Sequence, residues 1–583
     1  MNSSKPVSGV GADGRGAGVA AGNAAGPARV PSAIDALADE YADRVIARMP
    51  SWQVYLGIEG DPAELDDYSP DAVDTAAELN AQTLTRLEQI ESSAAPGAFD
   101  EVDAVTADAL RERLGLAADM HAAGLDLAPL NNIESATQFI RNTFDLLPKS
   151  TADDWESNAA RMHSVAGSLR GYAESLRRAV AAGKAPTRRQ VASVVEQTDE
   201  VTRGDGFFDT FIAGAPEAQA ARLRTAADAA KAAYGELAEF LTREILPATA
   251  ADDACGREDY ALYSRQFLGA EVDFEETYAW ALDEVERLHA AQQATAEALY
   301  PGATVAEAME RLDREPERIL HGAEELRAWM QGVADESIRA VNGTYFDIPE
   351  PLQRIECMVI PNGSGEVYYS GPTDDFSRPG RMWWSVPRGV TDFTTWQEKT
   401  TVFHEGVPGH HLQMGGATYN RATLNNWRRN LCWVSGHGEG WALYAEALMA
   451  ELGFMDEPGD YMGTLDSQML RATRVVVDLG VHLGLAAPKS VGGGTWDADK
   501  AWTYLRAHLA TVDTSLRFEW TRYMTWPGQA ASYKIGQRIW EQLRADAQGA
   551  AVAAGRAFDL KDFHSRALDL GSVGLSTLQK FVG

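Results

Sequence analysis

Apolar residues recur at helical spacing along most of the chain from Ser32 onward. In IDALADEYADRVIARM, for example, Ile34, Leu37, Tyr41 and Val45 fall on one face of a helix. Similar segments, each ending at Gly, Pro or a polar cluster, are TAAELNAQTLTRLEQIESS, ESNAARMHSVAGSLRGYAESLRRAV and EAQAARLRTAADAAKAAYGELAEFLTREILP. There is no repeat of fixed period, which argues against a solenoid. The pattern predicts a mainly α protein built from long helices.

Residues 343–387 depart from this helical pattern. The segments YFDIPEPLQRIECMVI, GEVYYSG and RMWWSVP are rich in β-branched and aromatic residues and are separated by Pro- and Gly-containing turns. They predict a small antiparallel sheet. An exposed sheet edge can bind an extended peptide through main-chain hydrogen bonds, which makes Tyr368 and Tyr369 candidate substrate-binding residues. A sheet that only stabilises the fold is an equally good interpretation.

Composition and charge narrow the class of protein. With 583 residues, of which 45% are apolar and 23% charged, the chain can bury a large core. Its formal charge of −33 opposes binding to nucleic acid or to an anionic membrane. The three cysteines form no Cys-x-x-Cys pair, which is typical of a reduced compartment.

The N-terminal segment differs from the rest of the chain. Residues 1–31 are dominated by Gly, Ala, Ser and Pro, which predicts a disordered tail without the apolar stretch of a signal peptide. No later run reaches the roughly 18 apolar residues of a membrane-spanning helix. We therefore predict one helical catalytic domain over residues 32–583, in the cytoplasm and without a membrane partner.

The segment TTWQEKTTVFHEGVPGHHLQMGG concentrates polar chemistry, because three of the eleven histidines lie within eight residues. In the zinc-hydrolase pattern His-Glu-x-x-His, two imidazoles on one helix face bind the metal and the Glu activates water. His404 and Glu405 begin this pattern, but Pro408 stands where the second histidine belongs. The strict motif is therefore absent.

A helix break could restore the geometry. On an unbroken helix His410 would lie roughly 120° from the face of His404, and His411 about 10 Å along the axis. Pro408 removes a backbone donor and Gly409 permits irregular dihedrals, so we predict a break here. Treating these two residues as an insertion makes His410 the second metal ligand and His411 the second choice. Surface histidines at a helix start are the alternative.

A third ligand is expected from a separate helix, in VSGHGEGWALYAEALMAELG. Zinc sites with two His ligands commonly take a downstream carboxylate, and Glu439 lies 35 residues after His404. His437 could orient Glu439 or compete with it. Glu446, two turns further along, is interpreted as structural.

Two later segments contain polar residues among apolar ones. In MLRATRVVVDLGVHLG, Arg474, Asp478 and His482 follow at i, i+4 and i+8, which predicts a buried ladder. The ladder could be an internal salt bridge with a satisfied histidine, or it could recognise substrate. Arg471 or Arg474 could equally bind a substrate carboxylate.

The segment MTWPGQAASYKIGQRIWEQLR places Tyr533 and Lys534 after a Pro-Gly-Gln turn. The Tyr533 hydroxyl could donate to a developing oxyanion, or the ring could simply pack in the core. Lys534 is a candidate substrate-binding residue beside it.

Four blocks in this order, HEGVPGHHLQ, GEGWALYAE, RATRVVVDLGVH and PGQAASYKIG, resemble the bacterial domain-of-unknown-function family numbered 885. PSWQVYLGIEGDPAELDDYSP and APTRRQVASVVEQ extend the resemblance over nearly the whole chain after the tail. Within this family the fold is similar to helical gluzincin carboxypeptidases and neurolysin-type oligopeptidases. The resemblance implies one large α-helical unit around a deep channel, with a small sheet beside the metal helix.

The same resemblance bears on the site residues. The carboxypeptidase pattern His-Glu-x-x-His-x-Leu is approached by His404, Glu405, His410 and Leu412 once Pro408-Gly409 is treated as inserted. The third ligand then falls best on Glu439.

We therefore predict a zinc-dependent hydrolase, with one ion, that cleaves a peptide or amide bond. Zinc would be held by His404, His410 and Glu439, and Glu405 would transfer the proton. Tyr533, with His411, would stabilise the oxyanion. The ladder residues from Arg474 onward, Lys534 and strand 366–371 would position a small peptide or an amide-containing small molecule.

Three alternative functions remain open at this stage. A hydrolase could trim an aminoacyl or acyl group from a small metabolite with the same residues. A non-catalytic descendant could use the cavity only to bind ligand, a possibility that Pro408 raises. A helical interaction scaffold would have no use for His404.

Overall fold

The computed structural model describes residues 29–250, 252–361 and 367–583, and within these ranges the protein is mainly helical, as predicted. The helices are α1 Ala33–Ile46, α2 Pro50–Leu56, α3 Pro70–Ser93, α4 Glu101–Ala123, α5 Ala136–Asp145, α6 Ala152–Ala181, α7 Arg188–Thr202, α8 Phe207–Ile212, α9 Ala220–Phe240, α10 Arg257–Leu268, α11 Phe274–Leu299, α12 Val305–Leu312, α13 Gly322–Val341, α14 Thr395–Glu405, α15 His410–Tyr419, α16 Asn426–Asn430, α17 Ser435–Glu451, α18 Pro458–His482, α19 Ala498–His508, α20 Asp513–Thr525, α21 Ser532–Ala553, α22 Leu560–Asp569 and α23 Leu575–Val582. The strands are β1 Ile319–His321, β2 Ile355–Pro361, β3 Val367–Ser370, β4 Gly380–Val386 and β5 Asp392–Thr394.

Helix α1 shows how local sequence produces these elements. The Ser32 hydroxyl accepts hydrogen bonds from the first-turn backbone, and the Asp35 side chain accepts one from the Ser32 backbone in return. Ile34 and Leu37 on the predicted apolar face are buried. The helix is therefore fixed by its cap at one end and by its packed face along its length.

The two largest hydrophobic clusters of the described residues lie in different parts of the chain. The larger draws on α1, α3, α4 and most elements from α10 to α23, and the smaller joins residues between Leu130 and Ile245. Helix α20 links them, since the Gln190 side chain donates to the Thr525 carbonyl at 2.9 Å and Arg189 stacks over Trp520. The helical pattern of the sequence did not indicate this second cluster. The single catalytic domain over residues 32–583 stays a prediction.

The predicted small sheet is present and has the strand order β2-β4-β3. β3 pairs antiparallel with β4, as expected, whereas β2 pairs parallel with β4 from Ile355↔Gly380 to Pro361↔Val386. The other edge of β2 is partly covered, because the Gln331 side chain donates to the Ile355 carbonyl at 2.9 Å. The Trp384 indole donates to Glu398 at 2.8 Å and thereby attaches the sheet to α14.

The predicted disordered tail, residues 1–31, lies outside the described residues up to residue 28. Arg29 is held in place by ion pairs of 2.6 Å to Asp35 and Asp103 and 2.7 Å to Asp100. These ion pairs fix Arg29 close to the predicted end of the tail, and the boundary at residue 31 stays a prediction.

Helices α17 and α21 pack through their backbones, close to the candidate site. A Cβ on Gly440 would lie 2.5 Å from the carbonyl carbon of Gly536, so neither position has room for a side chain. The Ser435 and Ser532 hydroxyls bond to each other at 2.9 Å at the same contact. This close approach sets where the side chains of both helices meet.

His564 makes folding depend on pH. Its Nδ1–H donates to the Tyr345 carbonyl at 3.1 Å, and its Nε2 accepts from the Tyr444 hydroxyl at 2.9 Å. Burial lowers the pKa of His564 to about 4. Because the unfolded chain binds the proton more readily, this contribution to stability is complete above the ordinary histidine pKa and is lost as pH falls towards about 4.

We expect the free energy of unfolding to fall by about 2 kcal/mol between about pH 7 and about pH 4.5 on account of His564 alone. Denaturant unfolding of the wild type and of His564→Gln at both pH values measures this contribution. The variant should show a pH dependence smaller by that amount, and an unchanged pH dependence would contradict the assignment.

Candidate metal centre

The segment that carries His404 and His410 is broken where the sequence predicts. Helix α14 ends at Glu405, and α15 begins at His410 after the cis Val407–Pro408 peptide bond. A Cβ on Gly409 would overlap the carbonyl oxygen of His404, so only glycine fits the turn. The break displaces the second half of the segment from the axis of the first.

The consequence is that His410 faces His404, with ring centroids 5.0 Å apart and planes nearly perpendicular. Trp441 on α17 holds the turn from the other side, since its indole donates to the Pro408 carbonyl at 2.9 Å and to the Gly409 carbonyl at 3.2 Å. Three helices thus fix the relative position of the two imidazoles.

Glu439 completes a cluster with these histidines. One ligand atom from each of His404, His410 and Glu439 lies within 4.8 Å of the others. The Glu439 Oε2 is 3.2 Å from the His404 Nε2 and 3.6 Å from the His410 Nε2. The structure therefore brings together the three residues predicted as metal ligands.

Glu446, which the sequence suggested to be only structural, bonds the other nitrogen of His404. The His404 Nδ1 donates to its Oε1 at 2.7 Å. The Thr400 and Ser467 hydroxyls donate to its second oxygen at 2.6 and 2.9 Å, and Arg471 donates to the Ser467 hydroxyl at 2.9 Å. This is the arrangement by which carboxylates orient metal-binding histidines.

Replacing Glu446 with glutamine should weaken zinc binding by about 10- to 100-fold. The amide would orient the His404 ring less firmly and would leave its Nε2 less basic, and therefore a weaker metal ligand, than the carboxylate does. Competition with a chromogenic chelator measures the affinity. Glu451→Gln, at the exposed end of the same helix where Glu451 pairs with Arg544 at 2.7 Å, is the matched control and should bind like the wild type. Equal affinities for the two variants would remove Glu446 from the site.

The electrostatics of the cluster favour a cation. Burial alone would lower the pKa of His404, but the hydrogen bonds to Glu439 and Glu446 raise it to about 10. Burial would raise the pKa of Glu439, yet its bonds to His404 and His410 hold it well below the usual range. The buried carboxylate of Glu446 and the partly buried carboxylate of Glu439 thus favour a positive charge on the His404 side chain between them.

Glu405 is buried beside this cluster. Its Oε2 has no hydrogen-bond partner among the described residues. Burial raises the pKa of Glu405, and the neighbouring charges of His410 and His404 oppose that rise. An unpaired carboxylate oxygen next to a ligand cluster is available to take a proton.

Tyr533 lies near the cluster and is surrounded by charge. Burial raises its pKa, and the negative charge of Glu439 raises it further. Arg522 donates to the Tyr533 hydroxyl at 3.4 Å, and Arg474 stacks over the ring at 5.0 Å. Glu519 pairs with Arg474 at 2.8 Å. Of the predicted substrate-binding residues, Arg474 therefore contacts the candidate oxyanion donor.

His411 lies apart from the cluster. The Tyr369 hydroxyl donates to its Nδ1, and its Nε2–H donates to the Leu352 carbonyl, both at 2.9 Å. With both ring nitrogens engaged, His411 has no free nitrogen for a metal or an oxyanion, and the Tyr369 hydroxyl is used in the same bond. Tyr368 is 43% exposed and stacks on Trp383 at 6.0 Å.

The predicted ladder on α18 is present only in part, since the His482 Nε2 lies 3.6 Å from the Asp478 Oδ1 while Arg474 pairs with Glu519. Asp478 accepts from the Tyr260 hydroxyl at 2.7 Å and from the Gly528 backbone at 3.0 Å. The His482 Nε2 donates to the Tyr523 carbonyl at 2.8 Å. His482 is satisfied, as the structural alternative expected, but Arg474 pairs with Glu519 and not with Asp478, so that alternative holds only in part.

Lys534 and His437 also point to other partners. Lys534 is buried and pairs with Glu284 at 3.0 Å and with the Gln537 side chain at 3.0 Å. The His437 ring packs edge-on against Trp540 at 5.3 Å. Neither residue joins the ligand cluster.

Some residues at the site were not predicted from the sequence. Glu519 and Arg522 lie on α20 three positions apart, a spacing that could have indicated a pair on one helix face. Trp433 packs against His410 with ring centroids 5.9 Å apart, and nothing in the sequence marked it.

Fold and site together define a large helical protein with a buried cluster of two histidines and one glutamate. Residues 50–582 match the family described as "Bacterial protein of unknown function (DUF885)", and the chain belongs to this family. The resemblance drawn from the motifs is confirmed at that level. No curated protein matches the chain.

Two solved structures share the fold. A "putative lipoprotein" from Colwellia psychrerythraea is 22% identical, with a TM-score of 0.78 over 94% of this chain and 98% of its own. A "putative lipoprotein of unknown function" from Shewanella oneidensis is 17% identical, with a TM-score of 0.69 over 94% of this chain and 99% of its own.

These descriptions correct one prediction. Lipoproteins are exported and anchored to a membrane, so the two solved relatives contradict the cytoplasmic location expected from composition and cysteine usage. Composition is a poor guide here, because an acidic surface and few cysteines suit an exported protein as well. Among the described residues, no helix has the length and apolarity needed to cross a bilayer.

Proposed function

We propose that this protein is a metal-dependent hydrolase that holds one zinc ion and cleaves a peptide or amide bond. The observation that supports it most is the convergence of His404, His410 and Glu439 within 4.8 Å, with Glu405 adjacent in the chain. Two imidazoles and one carboxylate are the donors of many hydrolytic zinc sites, where the fourth position stays open.

The residues present fit such an ion. The cluster gathers two imidazole nitrogens and a carboxylate oxygen, and a second carboxylate already orients His404 through its Nδ1. Without a cation, the hydrogen bonds to Glu439 and Glu446 raise the pKa of His404, which favours a proton on its imidazole. A divalent ion would replace that proton and satisfy both carboxylates.

When bound, zinc would supply a Lewis acid that lowers the pKa of water and polarises a carbonyl group. Glu405 would accept the proton of the attacking water on its unpaired oxygen and pass it to the leaving nitrogen. The Tyr533 hydroxyl would donate to the carbonyl oxygen as that oxygen gains negative charge. Arg474 would hold the Tyr533 ring in place through the contact described above.

The resemblance to helical gluzincin peptidases is part of the same proposal. A gluzincin-like helical peptidase fold, with a channel leading to the cluster, accords with a mainly helical chain whose small sheet is attached to the metal-bearing helix. The descriptions of the solved relatives favour export, so peptides of the cell envelope are the first substrates to screen.

Metal analysis tests the proposal directly. After dialysis against metal-free buffer and addition of zinc, the wild type should hold about one zinc per chain, and His404→Ala should hold none. A screen of short peptides against N-acyl amino acids then separates a peptidase from a hydrolase that trims small metabolites. Wild-type protein without zinc at this stage would contradict the proposal and favour a metal-free binding protein.

A further inference from the structure

Trp433 presents a large apolar surface beside the candidate metal centre. The residue is 42% exposed, and its ring packs against His410 with centroids 5.9 Å apart. The residue lies in the turn just before α17, the helix that carries Glu439. Trp433 therefore borders the cluster on the side of His410.

The position of the Trp433 ring is fixed by its neighbours. A Cβ on Gly438 would overlap its six-membered ring, so the indole packs closely against the first turn of α17. The two flanking residues, Cys432 and Val434, are each only 1% exposed, and the Cys432 backbone donates to the Trp427 carbonyl at 2.9 Å. The backbone on both sides is fixed while the ring remains accessible, which is the pattern of a pre-organised contact.

We propose that Trp433 forms the wall of a substrate subsite and selects an apolar side chain, on the residue that flanks the bond to be cleaved. This inference rests on the proposed hydrolase function and adds the side-chain class of its substrate. Covering an exposed indole with an apolar group removes apolar surface from water, and tryptophan is among the residues that contribute most when so covered. A carboxylate side chain would be repelled by Glu439 and Glu405.

Matched substrates test the preference. A series of short peptides that differ only at the residue flanking the cleaved bond, with Leu, Phe, Gly, Lys or Glu, is compared in the wild type and in Trp433→Ala. We expect kcat/KM for Leu and Phe to exceed that for Gly in the wild type, and truncation to reduce this ratio by roughly 10- to 200-fold. Trp433→Phe should retain most of the ratio, and zinc content should be unchanged.

Phe139→Ala is the matched control, because Phe139 is 41% exposed and lies on α5, a helix whose Ile140 and Phe144 belong to the smaller hydrophobic cluster rather than to the site. This variant should behave like the wild type throughout. A Leu and Phe preference that survives in Trp433→Ala would overturn the inference, and so would a preference for Lys that is lost in Trp433→Ala, since that would show a cation on the ring face.

A binding measurement keeps the inference separate from the reaction. Calorimetry with N-acetyl-L-phenylalanine and N-acetylglycine, on wild type and Trp433→Ala with added zinc, should show tighter binding of the phenylalanine compound by about 10-fold only when Trp433 is present. If this difference appears while no peptide is cleaved, the hydrolase proposal fails and the subsite stands. If peptides are cleaved but the two compounds bind equally, the subsite assignment is wrong.

Discussion

Replacing Glu405 with glutamine should lower kcat by about 10²- to 10⁴-fold, the contribution typical of a positioned general base. The substitution preserves the shape of the side chain, and Glu405 is not one of the three clustered ligands, so zinc content should stay at the wild-type value. Parallel measurements of kcat and of zinc per chain test both expectations. Loss of zinc together with activity would make Glu405 a ligand rather than a base.

Glu398→Gln provides the matched control on the same helix. The Glu398 carboxylate accepts from the Trp384 indole at 2.8 Å, and burial raises its pKa as it does that of Glu405. Removal of its charge should therefore leave turnover largely unchanged. Equal losses in the two variants would show that any buried charge on α14 matters, and full turnover in Glu405→Gln would remove Glu405 from the mechanism.

The second large effect concerns which histidine binds the metal. His410→Gln should lose far more zinc affinity than the roughly 100-fold expected for a residue that acts only through a ligand. His411→Gln should retain zinc and instead lower the free energy of unfolding by about 1–3 kcal/mol, because it leaves buried hydrogen-bonding groups poorly paired. Zinc titration and denaturant unfolding of both variants measure the two effects.

This pair of neighbours is informative because the substitution is identical. The two residues share the first turn of α15, yet only His410 belongs to the cluster, whose ligand atoms lie within 4.8 Å of one another. His411 bonds the Tyr369 hydroxyl and the Leu352 carbonyl. Zinc retained by His410→Gln and lost by His411→Gln would reverse the assignment. A weakened but measurable affinity in both would place neither histidine in direct contact with the ion.

Several features of the site could be predicted from local sequence. The residue types of a hydrolytic zinc site stand close together in HEGVPGHH, and Pro408 with Gly409 predicts where the helix must break. The position of Glu439 at the start of the next long apolar helix also follows from spacing. These inferences depend on one or two helical turns, where geometry is nearly determined by sequence.

Other features depend on contacts between distant segments. Glu446 and Glu439 are two turns apart on α17, and only the packing of α14 against α17 decides that one bonds the His404 Nδ1 and the other faces its Nε2. Asp478 looked like part of a ladder on α18, but its partner Tyr260 is 218 positions away. Helical periodicity cannot predict which distant residue will bond to a given side chain, because many residues share each helix face.

The sequence by itself determined the mainly helical class, the small sheet before the histidine-rich segment and the family to which the chain belongs. Each of these follows from local periodicity or from short motifs, which are properties of neighbouring residues. Only the tertiary structure decided that His410 joins His404 while His411 turns away, that β2 pairs parallel with β4, and that Trp433 remains exposed beside the cluster. Those outcomes depend on which helices and strands pack together, and on the few places, such as Gly409 and Gly438, where the absence of a side chain lets them approach.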